Sequence, residues 1–252
     1  MIVPAYLPYY VLTCAIGTIA AILFGLRRAL GNAGWTPYDR TVTIRAATIT
    51  VIGWFLLAIA LASADAFRAA ADRIPTIQYG ILVPILFGGL LIWRSPRLAR
   101  IIDAVPQHWL IGVQLYRALG VIFLILYAAG KLPGLFAWPA GLGDVLVGVL
   151  APVVAIAYQR GPRENPDLVS AWNLFGLADL IVAVTAGMLS SPSPFQLFDF
   201  DLSNELISRL PLVLVPVFLV PVSVLLHLAS LIKLRRGALR DNHRREIARA
   251  PA

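Results

Sequence analysis

Apolar segments of about 20 residues recur along almost the whole chain, and no other feature constrains the fold as strongly. A segment of that length crosses roughly 30 Å of hydrocarbon as a helix. A helix is required there because lipid offers no hydrogen-bond partners to backbone N–H and C=O groups. Charged residues make up only 13% of the 252 residues, about half the share found in soluble domains. The sequence therefore predicts an all-α, polytopic membrane protein.

Seven of these segments are predicted to be transmembrane helices, at Tyr9–Leu26, Ala46–Ala64, Ile77–Trp93, Trp109–Ala129, Ala140–Tyr158, Val169–Leu189 and Leu210–Leu234. The third is the shortest and contains Pro84, which a span tolerates where neighbouring helices satisfy the freed backbone groups. The predicted organisation is a seven-helix transmembrane bundle over residues 1–234, followed by a basic tail over residues 235–252.

The distribution of lysine and arginine predicts the orientation of the bundle. With the N-terminus outside, 16 of the 21 lysine and arginine residues, Arg163 and those of the tail among them, fall in cytoplasmic segments. Four fall outside, and Arg117 lies within a span. Such an excess on one side is the positive-inside rule, so we expect an outer N-terminus and a cytoplasmic tail. Because the positive charge follows the loops and the tail, we expect lipid and not nucleic acid as its partner.

Two opposite charges lie inside predicted spans, where a charged side chain costs about 2.5–3.5 kcal/mol to insert. Arg117 in the fourth helix and Asp179 in the sixth are at similar depth, so we predict that they face the bundle interior and pair. Gln114 and Asn173 are placed beside them by helical spacing. Two interpretations remain open. Arg117 binds an anionic or carbonyl-bearing solute, with Asp179 as counter-ion or proton carrier, or the pair is a buried bridge that fixes helix neighbours.

Asp144 follows Trp138 and Pro139 in the segment FAWPAGLGD. Proline is tolerated in the first turn of a helix, and an acid there suits the positive end of the helix dipole. The segment thus predicts that the fifth helix begins at the outer interface close to Asp144. In a functional interpretation, Asp144 is instead a gate or a cation contact at the outer mouth of a solute site.

An internal similarity links two of these acids. The segments GLGDVLVGV, from Gly141, and GLADLIVAV, from Gly176, share five of nine residues. They fall on consecutive antiparallel helices, as an inverted repeat would place them. Chance is the alternative explanation, since Gly, Ala, Leu and Val fill most spans.

The sequence predicts no cofactor, metal or catalytic residue. His108 and His227 are separated by roughly 10 Å in depth on the rise of a helix, so we expect no bis-histidine haem. A retinal Schiff base would need a lysine in the middle of the last helix, where Val215, Pro216 and Val217 stand. No metal cluster, nucleophile elbow or phosphate loop occurs. Pro216 and Pro221 are expected to bend the last helix.

Three functions are compatible with these features. The first is binding or transport of a small polar or anionic solute through a site between helices four to six, since interrupted helices and midplane charges gather at transporter sites. The second is a non-catalytic accessory subunit of a larger membrane complex or homo-oligomer. The third is a membrane enzyme acting on lipids. Usage rich in alanine and arginine favours a bacterial inner membrane.

Overall fold

The computed structural model describes residues 3–161, 165–199 and 201–249, with side chains described up to residue 240. The predicted cytoplasmic Arg163, the tail side chains beyond residue 240 and residues 250–252 therefore lie outside the described part. Within that part, every regular element is helical.

The predicted number of seven candidate spans is confirmed, because seven helices are long and apolar enough to cross a membrane. They are α1 (Leu7–Asn32), α2 (Pro37–Ser63), α3 (Ile77–Arg94), α5 (Gln107–Ala128), α6 (Gly134–Arg160), α7 (Pro166–Ser190) and α8, a candidate span over Val215–Arg240 whose helical backbone continues to Arg249. A shorter helix, α4 (Pro96–Ala104), lies between α3 and α5.

Several helices begin earlier than hydropathy predicts, and a proline lies in the first turn of three of them, α1, α2 and α7. Helix α2 begins at Pro37, where the Thr36 side chain accepts a hydrogen bond from the backbone N–H of Asp39 at 3.1 Å. Helix α4 was not predicted and begins in the same way, since Ser95 Oγ accepts from the backbone N–H of Leu98 at 3.2 Å. Proline in the first turn and a hydroxyl cap are both favourable helix starts.

The last long helix begins later than predicted. Residues 210–213 form turns, Leu214 is the first helical residue, Val215–Leu219 form a π-helical turn, and the long α-helical stretch begins at Val220. Pro216 therefore lies in the first turn of α8 and Pro221 in the second, directly after the π-helical turn, and the bend expected at these prolines stays a prediction. A proline in a first turn removes an N–H that has no helical acceptor in any case.

Helix α8 is the centre of the bundle. In the most apolar 18-residue stretch of α8, 56% of the residues are buried, whereas in the corresponding stretch of α3 only 11% are. Phe218 is fully buried and packs against the rings of Trp54 and Phe55 in α2, with centroids 4.8 and 5.0 Å away. The exterior, by contrast, is rich in exposed apolar side chains such as Leu86 and Ile181. Large exposed apolar surfaces are rare on soluble monomers, so this exterior suits a multi-pass membrane protein.

The helix connections gather at two ends of the bundle. The tail end comprises residues 33–36, 95–106 and the part of α8 from residue 233 on; there, Lys233 Nζ donates to the carbonyl of Asp103 at 2.7 Å. The loop end comprises residues 64–76, 129–133 and 191–214; there, the backbone N–H of Ala69 donates to Ser208 Oγ at 3.1 Å. Any buried site in the middle of the helices is reached from one of these two ends or from the side.

Candidate functional site

Arg117 occupies the centre of a buried ionic cluster. It lies in a 3₁₀-helical segment of α5, Val113–Gly120, and is 3% exposed. Its Nε donates to Asp144 Oδ1 at 2.7 Å, and its Nη2 donates to Asp179 Oδ2. The structure thus brings the predicted pair of Arg117 and Asp179 into contact and adds Asp144 to it. We call these three residues the ionic cluster.

The cluster lies at the middle of the helices that carry it. Arg117, Asp144 and Asp179 are each at least ten residues from either end of α5, α6 and α7. At about 1.5 Å of rise per residue, this distance is roughly half of a 30 Å hydrocarbon layer. Charges at such depth are costly unless they are paired, which is the physical reason for the contacts.

A neutral histidine occupies another side of Arg117. Arg117 Nη1 lies 3.2 Å from His227 Nε2, and because a guanidinium only donates, this nitrogen must accept. The ring proton is then on Nδ1, which donates to Asn173 Oδ1 at 2.9 Å. Both ring nitrogens of His227 therefore have protein partners. The sequence singled out His227 by its position within the last span, but it did not indicate which residues would be its hydrogen-bond partners.

A chain of buried polar side chains continues from His227 towards the tail end. Asn173 Nδ2 donates to Ser230 Oγ at 2.8 Å. Gln107, at the first residue of α5, also donates to Ser230 Oγ, at 2.6 Å. All of these side chains are buried. Asn173 thus contacts the cluster through His227 and holds α7 against α8.

Gln114 shares a face with Arg117, as the sequence predicted, but does not bind it. In the 3₁₀ segment, residues three apart lie one above the other. Gln114 Nε2 donates to the carbonyl of Ser223 at 3.4 Å, one helical turn along α8 from His227. Within the described residues its Oε1 has no hydrogen-bond partner. Gln114 therefore belongs to the contact between α5 and α8.

The predicted position of Asp144 at an outer helix start is wrong. Helix α6 begins at Gly134, so Asp144 lies ten residues inside it, and Pro139 is internal to the helix. The apolar Leu135 and Phe136 extend the helix towards the loop end, and a proline in the second turn removes only one backbone hydrogen bond. Asp144 is consequently a member of the ionic cluster, ten residues inside α6, and its role as a gate or cation contact stays a prediction.

The two similar nine-residue segments meet at Arg117. Each contributes its aspartate, Asp144 from α6 and Asp179 from α7, to the same guanidinium. Close approach of these helices depends on Gly143, because a Cβ there would lie 1.6 Å from Asp179 Oδ1. A shared aspartate in two neighbouring spans was therefore the one sequence signal that could have placed Asp144 beside Arg117.

The ionic cluster has an excess of negative charge when both acids are ionised. One guanidinium faces two carboxylates, and the histidine beside it is neutral. Asp144 and Asp179 have no other ion-pair partner among the described side chains. An uncompensated charge in apolar surroundings costs several kcal/mol. The arrangement is therefore suited to hold one added proton or one small cation.

A small cavity leads to the cluster from the loop end. It has room of about 60 Å³ for water-sized molecules, and its lining runs from Phe67, Pro75 and Ser208 down to Asp144. A buried water needs about 10–15 Å³ by this measure. The Asp144 side chain is 16% exposed, whereas that of Arg117 is 1% exposed. Of the charged groups in the cluster, Asp144 thus has the most exposed side chain, and the cavity that it lines extends towards the loop end.

The fold and this site define an all-helical protein with seven helices able to span a membrane and a buried ionic cluster at their centre. A family model described as a domain of unknown function, DUF8737, matches residues 74–235, well over half of the chain. The chain therefore belongs to the DUF8737 family. The matched segment contains the whole ionic cluster together with Asn173 and His227. No curated protein and no solved structure matches the chain.

Proposed function

We propose that the chain is a membrane transport protein in which the ionic cluster binds and releases a proton. The observation that carries the proposal is that Asp144 and Asp179 share the single guanidinium of Arg117 in the middle of the bundle. Protonation of one acid makes the cluster neutral, which apolar surroundings favour. A metal cation would instead need several oxygen ligands, and the cavity lining offers few.

Asp144 is the acid that exchanges the proton. Its side chain is more exposed than that of Asp179, at 16% against 7%. It also lines a second small cavity, which reaches Tyr10 and Tyr116. Asp179 is packed against Gly143 and acts as the fixed partner of Arg117.

Arg117 serves as a fixed counter-charge in this proposal and not as the binding group for an anionic solute. Four hydrogen bonds, to Asp144, Asp179, His227 and the carbonyl of Gly176, occupy four of its five N–H groups. The cavity beside Asp144 is lined mainly by apolar side chains. A small, weakly polar solute fits that lining better than the anionic solute considered from the sequence.

We expect infrared spectroscopy of the purified protein in lipid nanodiscs to detect a protonated carboxyl group that is lost in Asp144→Asn. The C=O stretch of a protonated acid differs from that of a carboxylate, so the difference between the spectra of the unmodified protein and of this variant follows the Asp144 carboxyl group across a pH titration without knowledge of the solute. Asp103→Asn is the matched control, because Asp103 pairs with Arg240 at the tail end. The band should persist there. A protonated-acid band that survives unchanged in Asp144→Asn would refute the assignment.

Transport is tested separately from proton binding. In liposomes that contain the protein and a pH-sensitive dye, we expect a membrane potential to drive proton movement in the presence of the solute, and Asp144→Asn to abolish it. An accessory subunit would show no such movement with any solute. Screening small, weakly polar compounds for a change in internal pH identifies the solute class.

A further inference from the structure

Arginine side chains surround Trp35 at the tail end, on helices other than those of the ionic cluster. A pocket of about 440 Å³ there is lined by Arg27 of α1, by Trp35 of the connection between α1 and α2, and by Pro37, Arg40, Thr41, Ile44 and Arg45 of α2. Arg100 of α4 places its guanidinium 5.6 Å from the centroid of the Trp35 ring. We call this feature the arginine pocket.

The fold holds these side chains together. The connection between α1 and α2 spans only residues 33–36, so the ends of the two helices lie side by side. Arg40 Nη2 donates to the carbonyl of Arg27 at 3.3 Å. The same guanidinium lies against Gly31, where an added Cβ would come within 3.2 Å of Nη2. Arg40 is therefore positioned at the pocket by backbone groups of α1.

The positive charge of the pocket is not balanced by acids. Among the described side chains, none of Arg27, Arg40, Arg45 and Arg100 has a carboxylate within 4.0 Å. Asp39 is the nearest acid in sequence, but its Oδ2 accepts a hydrogen bond from Thr36 at 2.9 Å. Arginines of the tail differ, because Arg236 and Arg240 both pair with Asp103. A cluster of like charges with no acid is stabilised by a bound anion.

We propose that the arginine pocket binds a phosphate group, carried either by the headgroup of an anionic phospholipid or by a soluble phosphate compound. Guanidinium groups bind phosphate oxygens through paired, charge-assisted hydrogen bonds. Trp35 lies at helix ends, the level that tryptophan prefers beside lipid headgroups. Basic pockets between transmembrane helices are known to bind anionic headgroups. The site shares no residue with the ionic cluster and does not depend on the proposed transport function.

The test compares two double variants that remove the same charge. Arg40→Gln/Arg45→Gln removes two arginines of the pocket. The control variant, Arg28→Gln/Arg94→Gln, removes two exposed arginines at the tail end that do not line the pocket. Arg28 is adjacent to Arg27 in sequence, and the Arg94 guanidinium lies over the Trp93 ring, 4.8 Å from its centroid. All four side chains lie at the surface or partly exposed, so both variants should fold, which circular dichroism and size-exclusion chromatography verify.

Native mass spectrometry of the delipidated protein in detergent, titrated with phosphatidylglycerol or phosphatidylcholine, measures binding to the pocket. We expect the full chain to prefer phosphatidylglycerol over phosphatidylcholine. The pocket variant should bind phosphatidylglycerol with an affinity at least about tenfold lower, given the strength of hydrogen bonds to charged groups. The control variant should stay within about twofold of the unmodified chain, as exposed charges contribute little. An equal loss of binding in both variants would overturn the proposal. It would also be overturned if the unmodified chain showed no preference for phosphatidylglycerol and bound no soluble phosphate.

A second arm distinguishes the two sources of phosphate. Inorganic phosphate and pyrophosphate are titrated against the protein in phosphatidylcholine nanodiscs, with isothermal titration calorimetry as the readout. Binding that disappears in the pocket variant but not in the control would assign the pocket to a soluble phosphate compound. Binding of phosphatidylglycerol alone would assign it to a lipid headgroup.

Discussion

Replacing Arg117 with glutamine is expected to destabilise the protein by about 3–5 kcal/mol, the range for removing one partner of a buried ion pair. Asp144 and Asp179 would then face each other in the centre of the bundle without a counter-charge, and His227 would lose its donor. Thermal unfolding of the purified protein in detergent, followed by circular dichroism, measures the change. We expect a much lower unfolding temperature and a smaller folded yield.

The triple variant Arg117→Gln/Asp144→Asn/Asp179→Asn separates charge from shape. Because the cost of breaking a buried ion pair comes mainly from the charge left unpaired, and this variant leaves none in the cluster, it should recover most of the lost stability while it abolishes the protonated-acid band. Arg68→Gln is the matched control: Arg68 pairs with Asp65 at an exposed position, where an ion pair contributes about 0–1 kcal/mol. A triple variant as unstable as Arg117→Gln would show that the guanidinium acts through packing alone.

Gly148→Ala is expected to have the second largest effect on stability. An added Cβ at Gly148 would lie 2.1 Å from the backbone nitrogen and 2.8 Å from the Cα of Ala118. These are backbone atoms, which cannot rotate away as a side chain can. Overpacking of this kind costs about 1–3 kcal/mol and occasionally more. Since Ala118 follows Arg117 in the 3₁₀ segment, we also expect the variant to shift Arg117 and weaken its bonds to both acids.

Gly53→Ala is the control for this substitution, because nothing lies within 4 Å of a Cβ built at Gly53 in α2. It should leave stability unchanged or raise it by up to about 1 kcal/mol through helix propensity. The stability of the two alanine variants is compared through their unfolding temperatures, measured in the same detergent. Equal stability of Gly148→Ala and Gly53→Ala would mean that α5 and α6 move apart at no cost.

Prolines and glycines of α6 have one meaning in the sequence and another in the folded protein. Pro139 suggests a helix start from sequence, yet α6 begins five residues earlier, at Gly134, because the apolar residues before Pro139 still gain from burial in the bundle. Gly143 and Gly148 are unremarkable in an alanine- and glycine-rich span. In the folded protein they are the points at which α6 meets Asp179 and the backbone of α5.

The amino-acid sequence by itself determined the helical class, the number of candidate spans and the need for a partner to Arg117. Each of these depends on local hydropathy or on the cost of one buried charge, which a linear pattern records. Only the tertiary structure decided that Asp144 joins Asp179 on one guanidinium, that His227 is a neutral acceptor, and that arginines from three helices meet around Trp35. These contacts depend on how far each helix extends and how it is rotated against its neighbours. Capping and packing between distant segments set both, and no single segment encodes them.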